Sequence, residues 1–454
     1  MATAAPWSAP VPAHVTPLER NIAAVIIGVL LALNVGLISW KVAGLPVRAV
    51  LTAGLLGLMV VIYPERIKQA IARFAPVLWL AAGLALLGSF VSLANGVEID
   101  AIIKSVSEVH IQIAITVLAA VVLAEIAGMK ATALMFAAVV GGSALIALMQ
   151  LLDIDAAWNL RETLGRLQRE DPFELSQLLR GRPVGVAYSP IQFSNHVCLA
   201  FAVFAAAREQ EHRLTKGLPS ADLIIIGALG VMCIAAFVSG TRSPILGAAL
   251  FFLVYAVRRP GSWLAFMIML GGVVLVLVGP MLLDAFQTAQ PRIVRTDDNS
   301  ATGRSSLFAM GLLLFADNPL GYGFGFNPTD HWTKFWQDLY TMENPSVLKD
   351  TQLHNYVLNM LNVYGIGLLL VMPLAVHLLL RSRHVIIFFI PYIIHIMFHN
   401  FGPYWNDTPF WFTVAALAAP LLSRDGTAIT DFEEGDETDF PADEETGQYS
   451  YGWR

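Results

Sequence analysis

Four short motifs between residues 182 and 367 set an arginine or a histidine close to glycine. They are Arg182-Pro-Val-Gly185, Ser239-Gly-Thr-Arg-Ser243, Gly303-Arg304 running on to Asn318-Pro-Leu-Gly-Tyr-Gly-Phe-Gly325, and His354-Asn-Tyr-Val-Leu358 with Gly365-Ile-Gly367. A guanidinium stays protonated and grips phosphate oxygens bidentately. A neutral imidazole can take a proton from a hydroxyl near neutral pH. The set therefore reads as anion clamps beside a general base. Each motif also has a plainer reading. Arg242 can snorkel to an interface, Arg304 can be a solvated loop charge, and Gly321, Gly323 and Gly325 can mark only a turn. His354 can be a hydrogen-bonded residue at a helix start. Arg182 follows Arg161, Arg166, Arg169 and Arg180, a basic loop that suits lipid head-groups as well as a ligand phosphate.

The elements that must position these residues are membrane helices. Over 454 residues the chain is 56% hydrophobic and 14% charged, with a mean hydropathy of +0.63. A soluble domain of this size needs far more charge to cover its surface. A crossing takes roughly 20 apolar residues, and no short alternating strands of a β-barrel occur. The expected class is all-α and polytopic, with about 12 spans near 21–40, 45–63, 75–95, 109–127, 131–152, 190–207, 222–239, 243–257, 262–283, 356–380, 385–401 and 409–423. With the N-terminus in the cytoplasm, the inner connections carry Arg66, Lys68 and Arg73; Lys130; Arg208, Arg213 and Lys216; Arg258 and Arg259; Arg381 and Arg383. Each is basic, as the positive-inside rule asks. The two long connections, about 153–189 and 284–354, then face outward with all four motifs, and loops this long are usually functional. An apolar helical stretch, Leu307 to Phe315, lies in the second.

The organisation expected is a cytoplasmic N-terminal segment 1–20, a transmembrane domain 21–423 and a tail 424–454. The first apolar run is too long for a signal-peptide core and reads as a retained span. The tail holds ten Asp and Glu against two Arg, so it carries the net charge of −6 and leaves the rest slightly positive. Poor in bulky aliphatics, it reads as a disordered cytoplasmic segment. Cys198 and Cys233 lie in apolar runs and read as buried thiols, with no disulfide or metal spacing.

In order and with this topology, the motifs resemble the O-antigen ligase/polymerase family of bacterial envelope enzymes. The resemblance spans about Arg182 to Leu380, and departs at Thr241, where the family often has Ser, and at Phe308, where Trp is common. It implies a GT-C-like membrane glycosyltransferase of the bacterial inner membrane, with its site facing the periplasm. Such an enzyme moves a glycan from an undecaprenyl-pyrophosphate carrier to a hydroxyl of a glycan, a lipid A core or a protein. Arg242 and Arg304 would clamp the pyrophosphate with Arg182 as a weaker third. His354 would be the base of an inverting single displacement. No cofactor or nucleic-acid partner is expected; membrane lipids and a chain-length regulator are the other candidate partners. The acidic tail suits chain-length control, which leans towards polymerisation of O-antigen or exopolysaccharide.

Two alternatives stand beside this. Glu98-Ile-Asp100 and Asp153-Ile-Asp155 lie at outer span ends and could hold a divalent cation, although two carboxylates make an incomplete site. A transporter or flippase would place ionisable groups at mid-membrane, where Glu125 and His395 are the candidates.

Overall fold

The computed structural model describes residues 15–168, 182–215, 220–258, 299–381, 383–404 and 407–423. The described residues are mostly helical. Helix α1 (Pro17–Gly36) opens on a capping box: Thr16 Oγ1 accepts from the Glu19 amide at 3.2 Å, and the Glu19 carboxylate accepts from the Thr16 amide at 2.8 Å. A two-residue antiparallel ribbon, Lys41–Val42 with Leu45–Pro46, turns the chain into α2 (Val47–Ile62). There follow α3 (Pro64–Ala94), α4 (Ile99–Ala127), α5 (Met129–Leu151), α6 (Asp155–Gln168), α7 (Pro190–Thr215), α8 (Ser220–Val238) and α9 (Ser243–Arg258). Next come α10 (Asn299–Asp317), α11 (Tyr356–Tyr364), α12 (Leu368–Arg381), α13 (Ile390–Met397) and α14 (Thr408–Ser423).

Helix α4 forms the axis of one half. Val117 and all of Ala119–Ala124 are at most 2% exposed, because α1, α2, α3 and α14 surround it. A helix apolar on every side belongs in such a position, and its alanines let neighbours approach closely. A second core gathers α7, α8, α9 and α13 around Phe193, Phe251 and Tyr392. Here α9 and α13 nearly touch: a Cβ on Gly247 would lie 2.6 Å from the Pro391 Cα. The outward faces stay apolar, with Trp79, Leu86 and Phe90 on α3 and Leu370 on α12 widely exposed. Water would not tolerate so much bare hydrocarbon, and a lipid belt does.

Six helical stretches are long and apolar enough to cross a membrane, and five shorter apolar helices accompany them among the described residues. The expected ninth span, 262–283, lies outside the described residues, as do the first fourteen residues, Arg169 and Arg180, and the tail from 424. The expected boundaries need correction at three places. Helix α3 starts at Pro64 instead of 75, running through the basic residues taken for a loop, with Lys68 paired to Glu65 at 2.7 Å. Helix α4 starts at Ile99 instead of 109, passing Lys104 and Glu108 through a π turn at Val106–Ile111. Hydropathy places boundaries at charges, whereas backbone hydrogen bonding continues past them. The span expected at 356–380 is one of the six crossing stretches, Tyr356–Leu379, but it is two helices, α11 and α12, meeting at a 3-10 turn, Gly365–Gly367.

Polar contacts tie the helix ends together. At one end Tyr63 donates to Glu19, Arg73 pairs with Glu125 at 2.7 Å, and Tyr255 donates to Asp222 at 2.6 Å. At the other end Arg48 reaches Thr408 at 2.7 Å, Asn95 donates to the Gly321 carbonyl at 3.0 Å, and Arg182 reaches Gly240. Each pair joins segments assigned to one side.

Candidate functional site

The four motifs come from separate parts of the chain, and the fold links them through shared contacts. Helix α8 ends in a Schellman arrangement: the Gly240 amide donates to the Phe237 carbonyl at 2.8 Å and the Thr241 amide to the Ala236 carbonyl at 3.0 Å. Gly240 has φ +67°, which a side chain would strain. Ser239 Oγ lies 3.0 Å from Thr241 Oγ1 and 3.2 Å from Ser194 Oγ on α7. Threonine at 241 therefore keeps the hydroxyl that the family's serine would supply. Arg242 follows, half-buried, at the head of α9, where its carbonyl accepts from the Ile245 and Leu246 amides.

Arg182 approaches this turn directly, donating from Nη2 to the Gly240 carbonyl at 2.9 Å. Its own motif is held from below. Gln150 is buried in α5 and accepts from the Val184 and Gly185 amides, both at 2.9 Å, while its amide donates to the Gly185 carbonyl. Gly185 is at φ +62° with the Ser143 backbone where a Cβ would stand, so the turn requires glycine. The glycine fixes the loop and the arginine projects from it.

Arg304 sits on α10, its guanidinium carbon 5.6 Å from the centre of the Phe398 ring. That cation–π contact brings it beside the segment after α13. His354 lies one residue before the N-cap of α11. Asn355 is the cap, accepting from the Leu358 amide at 3.0 Å, and Leu358 packs against Gly311 of α10. The other motif residues thus do structural work, whereas His354 makes neither the cap nor the packing contact. Burial first, and the Arg304 charge second, push its pKa down to about 4. The ring is neutral at physiological pH, the form a base needs.

The alternating glycines turn out to be a crossing. Tyr322 and Gly323 donate from their amides to the Asn362 and Val363 carbonyls at 2.7 and 2.9 Å, at the end of α11. On the opposite side a Cβ on Gly323 would lie 2.6 Å from the Ser92 Cα. This extended segment passes between α3 and the α11–α12 break, at the exit of the helix α10 that carries Arg304.

The sequence reading missed part of the site. His399 and Ser243 were not singled out, and His395 was considered only as a mid-span transport residue. Ser243 Oγ lies 2.9 Å from His395 Nδ1 and 3.3 Å from His399 Nε2, and the His354 and His399 ring centres are 6.0 Å apart. The signal available was the i, i+4 spacing of His395 and His399, although α13 ends at Met397 and His399 stands in the turn that follows. The other transport candidate, Glu125, is ion-paired with Arg73. Asp153 and Asp155 line a small cavity with Trp158 and Asn159. Among the described residues no three His, Cys, Asp or Glu side chains are placed to hold a metal ion.

Against known proteins, residues 227–373 match the family model described as O-antigen ligase. The match covers the Arg242, Arg304 and His354 motifs, and it bears out the family resemblance read from them. Arg182, His395 and His399 lie outside it. No curated protein and no solved structure matches the chain.

Proposed function

We propose that this chain, whose residues 227–373 carry the O-antigen ligase match, transfers a glycan from an undecaprenyl-pyrophosphate carrier to an acceptor hydroxyl on the periplasmic face of a bacterial inner membrane. One observation carries the reading: Arg182 donates to Gly240 of the Arg242 turn, His399 lies 3.3 Å from Ser243 of that turn and 6.0 Å between ring centres from His354, and Arg304 stacks on Phe398 beside His399. A lipid pyrophosphate is the leaving group such a site fits. As the glycosidic bond breaks, negative charge grows on its phosphate oxygens, and Arg242, Arg304 and Arg182 stabilise it. His354 takes the proton of the attacking hydroxyl, whose oxygen displaces the pyrophosphate in one inverting step. The bound pyrophosphate also offsets the Arg304 charge, which raises the His354 pKa towards the working range of a base. The acceptor is another repeat unit or a lipid A core, and no metal is assigned a role.

The test is made in cells with His354→Ala, Arg242→Ala and Arg304→Ala, resolving the envelope glycans on a gel. The expected result is loss of polymeric or ligated glycan with accumulation of lipid-linked repeats. Single-repeat product identifies a polymerase, and absent product a ligase. Normal glycan from stably expressed variants would overturn the reading.

A further inference from the structure

Two buried imidazole nitrogens near the Arg304 guanidinium have no hydrogen-bond partner among the described residues: Nδ1 of His354 and Nδ1 of His399. Buried polar atoms are nearly always paired, and these two belong to rings whose centres are 6.0 Å apart.

The bonds on the far side of His399 fix where the hydrogens are. His395 Nε2 lies 3.0 Å from the Ile191 carbonyl, which can only accept, so Nε2 carries the hydrogen. In a neutral ring the His395 Nδ1 is then a lone pair, and it takes the Ser243 hydroxyl hydrogen at 2.9 Å. The Ser243 oxygen is left to accept from His399 Nε2–H at 3.3 Å. His399 is therefore held as the Nε2–H tautomer with a lone pair on Nδ1. The Ile191 backbone thus dictates, through two side chains, the state of an atom beside the proposed base.

We propose that His399 is a positioning residue for His354. Its Nδ1 lone pair accepts the Nδ1–H of His354, leaving His354 Nε2 as the atom that receives the hydroxyl proton. A ring separation of 6.0 Å is somewhat long for direct contact, so one bridging water, or closure by about 1 Å when donor fills the site, completes the bond. In the transfer step Nε2 gains the proton and His354 becomes an imidazolium. The hydroxyl oxygen's electron pair forms the new glycosidic bond, and the pyrophosphate leaves with the pair of the old one. His399 keeps its own proton throughout. A base oriented by a third group is the general arrangement for activating a weak nucleophile. This role rests on His354 being the base.

The test uses the full-length protein in lipid bilayers with ¹⁵N-labelled histidine, reading the His354 tautomer by solid-state NMR and assigning its signals by their loss in His354→Gln. The wild type is expected to show His354 as Nδ1–H, and His399→Phe to show a mixture or the Nε2–H form. With lipid-linked donor, His399→Phe should lose about 10- to 100-fold in kcat with little change in KM. His399→Asn, which restores an acceptor near the Nδ1 position, should recover most of it. Should His399→Phe fail to fold, Ser243→Ala frees the His399 tautomer and should shift the His354 signals the same way. An Nε2–H His354 in the wild type, or tautomer signals indifferent to these substitutions, overturns the proposal whatever the activity. Full activity of His354→Ala would instead overturn the base assignment beneath it.

Discussion

Asp407 is fully buried and His354 half-buried, and their surroundings differ in one respect. Asp407 is saturated: Oδ2 accepts from the Tyr392 hydroxyl at 2.7 Å and from Asn195 at 3.1 Å, and Oδ1 from the Phe410 amide at 3.1 Å. Those three donors come from α13, α7 and α14, so the carboxylate ties three helices together. His354 has a buried nitrogen without a partner among the described residues, on a loop, within reach of the Arg304 charge. A satisfied buried group contributes architecture, and an unsatisfied one marks a place waiting for a ligand. Under the proposed function, Asp407 holds the bundle and His354 works in it.

The strongest way to break this comparison is at His354. His354→Gln should lower kcat by about 10²- to 10⁴-fold while the thermal unfolding midpoint in detergent stays that of the wild type; an unfolded variant would put His354 in Asp407's class. Next are Arg304→Ala and Arg242→Ala, each expected to cost about 10²- to 10³-fold in turnover of lipid-linked donor. Lysine at 304 should restore only part, since it keeps charge without the planar fork.

Asp407→Ala should do the opposite, lowering stability by about 2–4 kcal/mol because three donors lose their acceptor. The expected signs are a lower melting point and less protein in the membrane, with unchanged kcat per folded molecule. Gly323→Ala should cost about 1–3 kcal/mol through its positive φ and its contact with Ser92, again seen in the melting point rather than in kcat.

The finest test is the pH dependence of stability, where the two residues pull in opposite directions. Burial raises the Asp407 pKa from 3.8 to about 6, so the folded state holds this proton more tightly. Its contribution is full below about pH 4 and is lost as pH rises to about 6. The His354 pKa falls from 6.5 to about 4, so its contribution is full above about pH 6.5 and is lost as pH drops. Melting curves between pH 4 and 7 should therefore gain opposite slopes from Asp407→Asn and His354→Gln, each relative to the wild type. Equal slopes would show that the two sites do not differ as described.

The arginines, His354 and the glycine motifs were legible in the sequence because their residue types are rare in apolar runs and their order matches a family. Their division of labour was not. In His354-Asn-x-x-Leu358 the asparagine is a helix cap and the leucine a packing residue, and in Arg182-x-x-Gly185 the glycine serves Gln150 and Ser143. Gln150 itself lies in an apolar run with no motif around it. Its importance arises from the loop 35 residues later that folds back on it.

Composition and hydropathy alone determined that this is an all-α chain with apolar helices suited to a bilayer, because burying backbone polar groups in hydrocarbon leaves few options. Charge in the short connections gave an expectation of which segments share a side. Tertiary structure decided which residues on that side meet. His354, His399 and Ser243 are 156 positions apart at the extremes, and their proximity depends on α9 packing against α13 at Gly247 and Pro391. The hydrogen on His399 is decided more remotely still, by a backbone carbonyl on α7 acting through His395 and Ser243. Spacing along a chain cannot specify such a bond, since hydrogen bonds form between atoms that packing brings together.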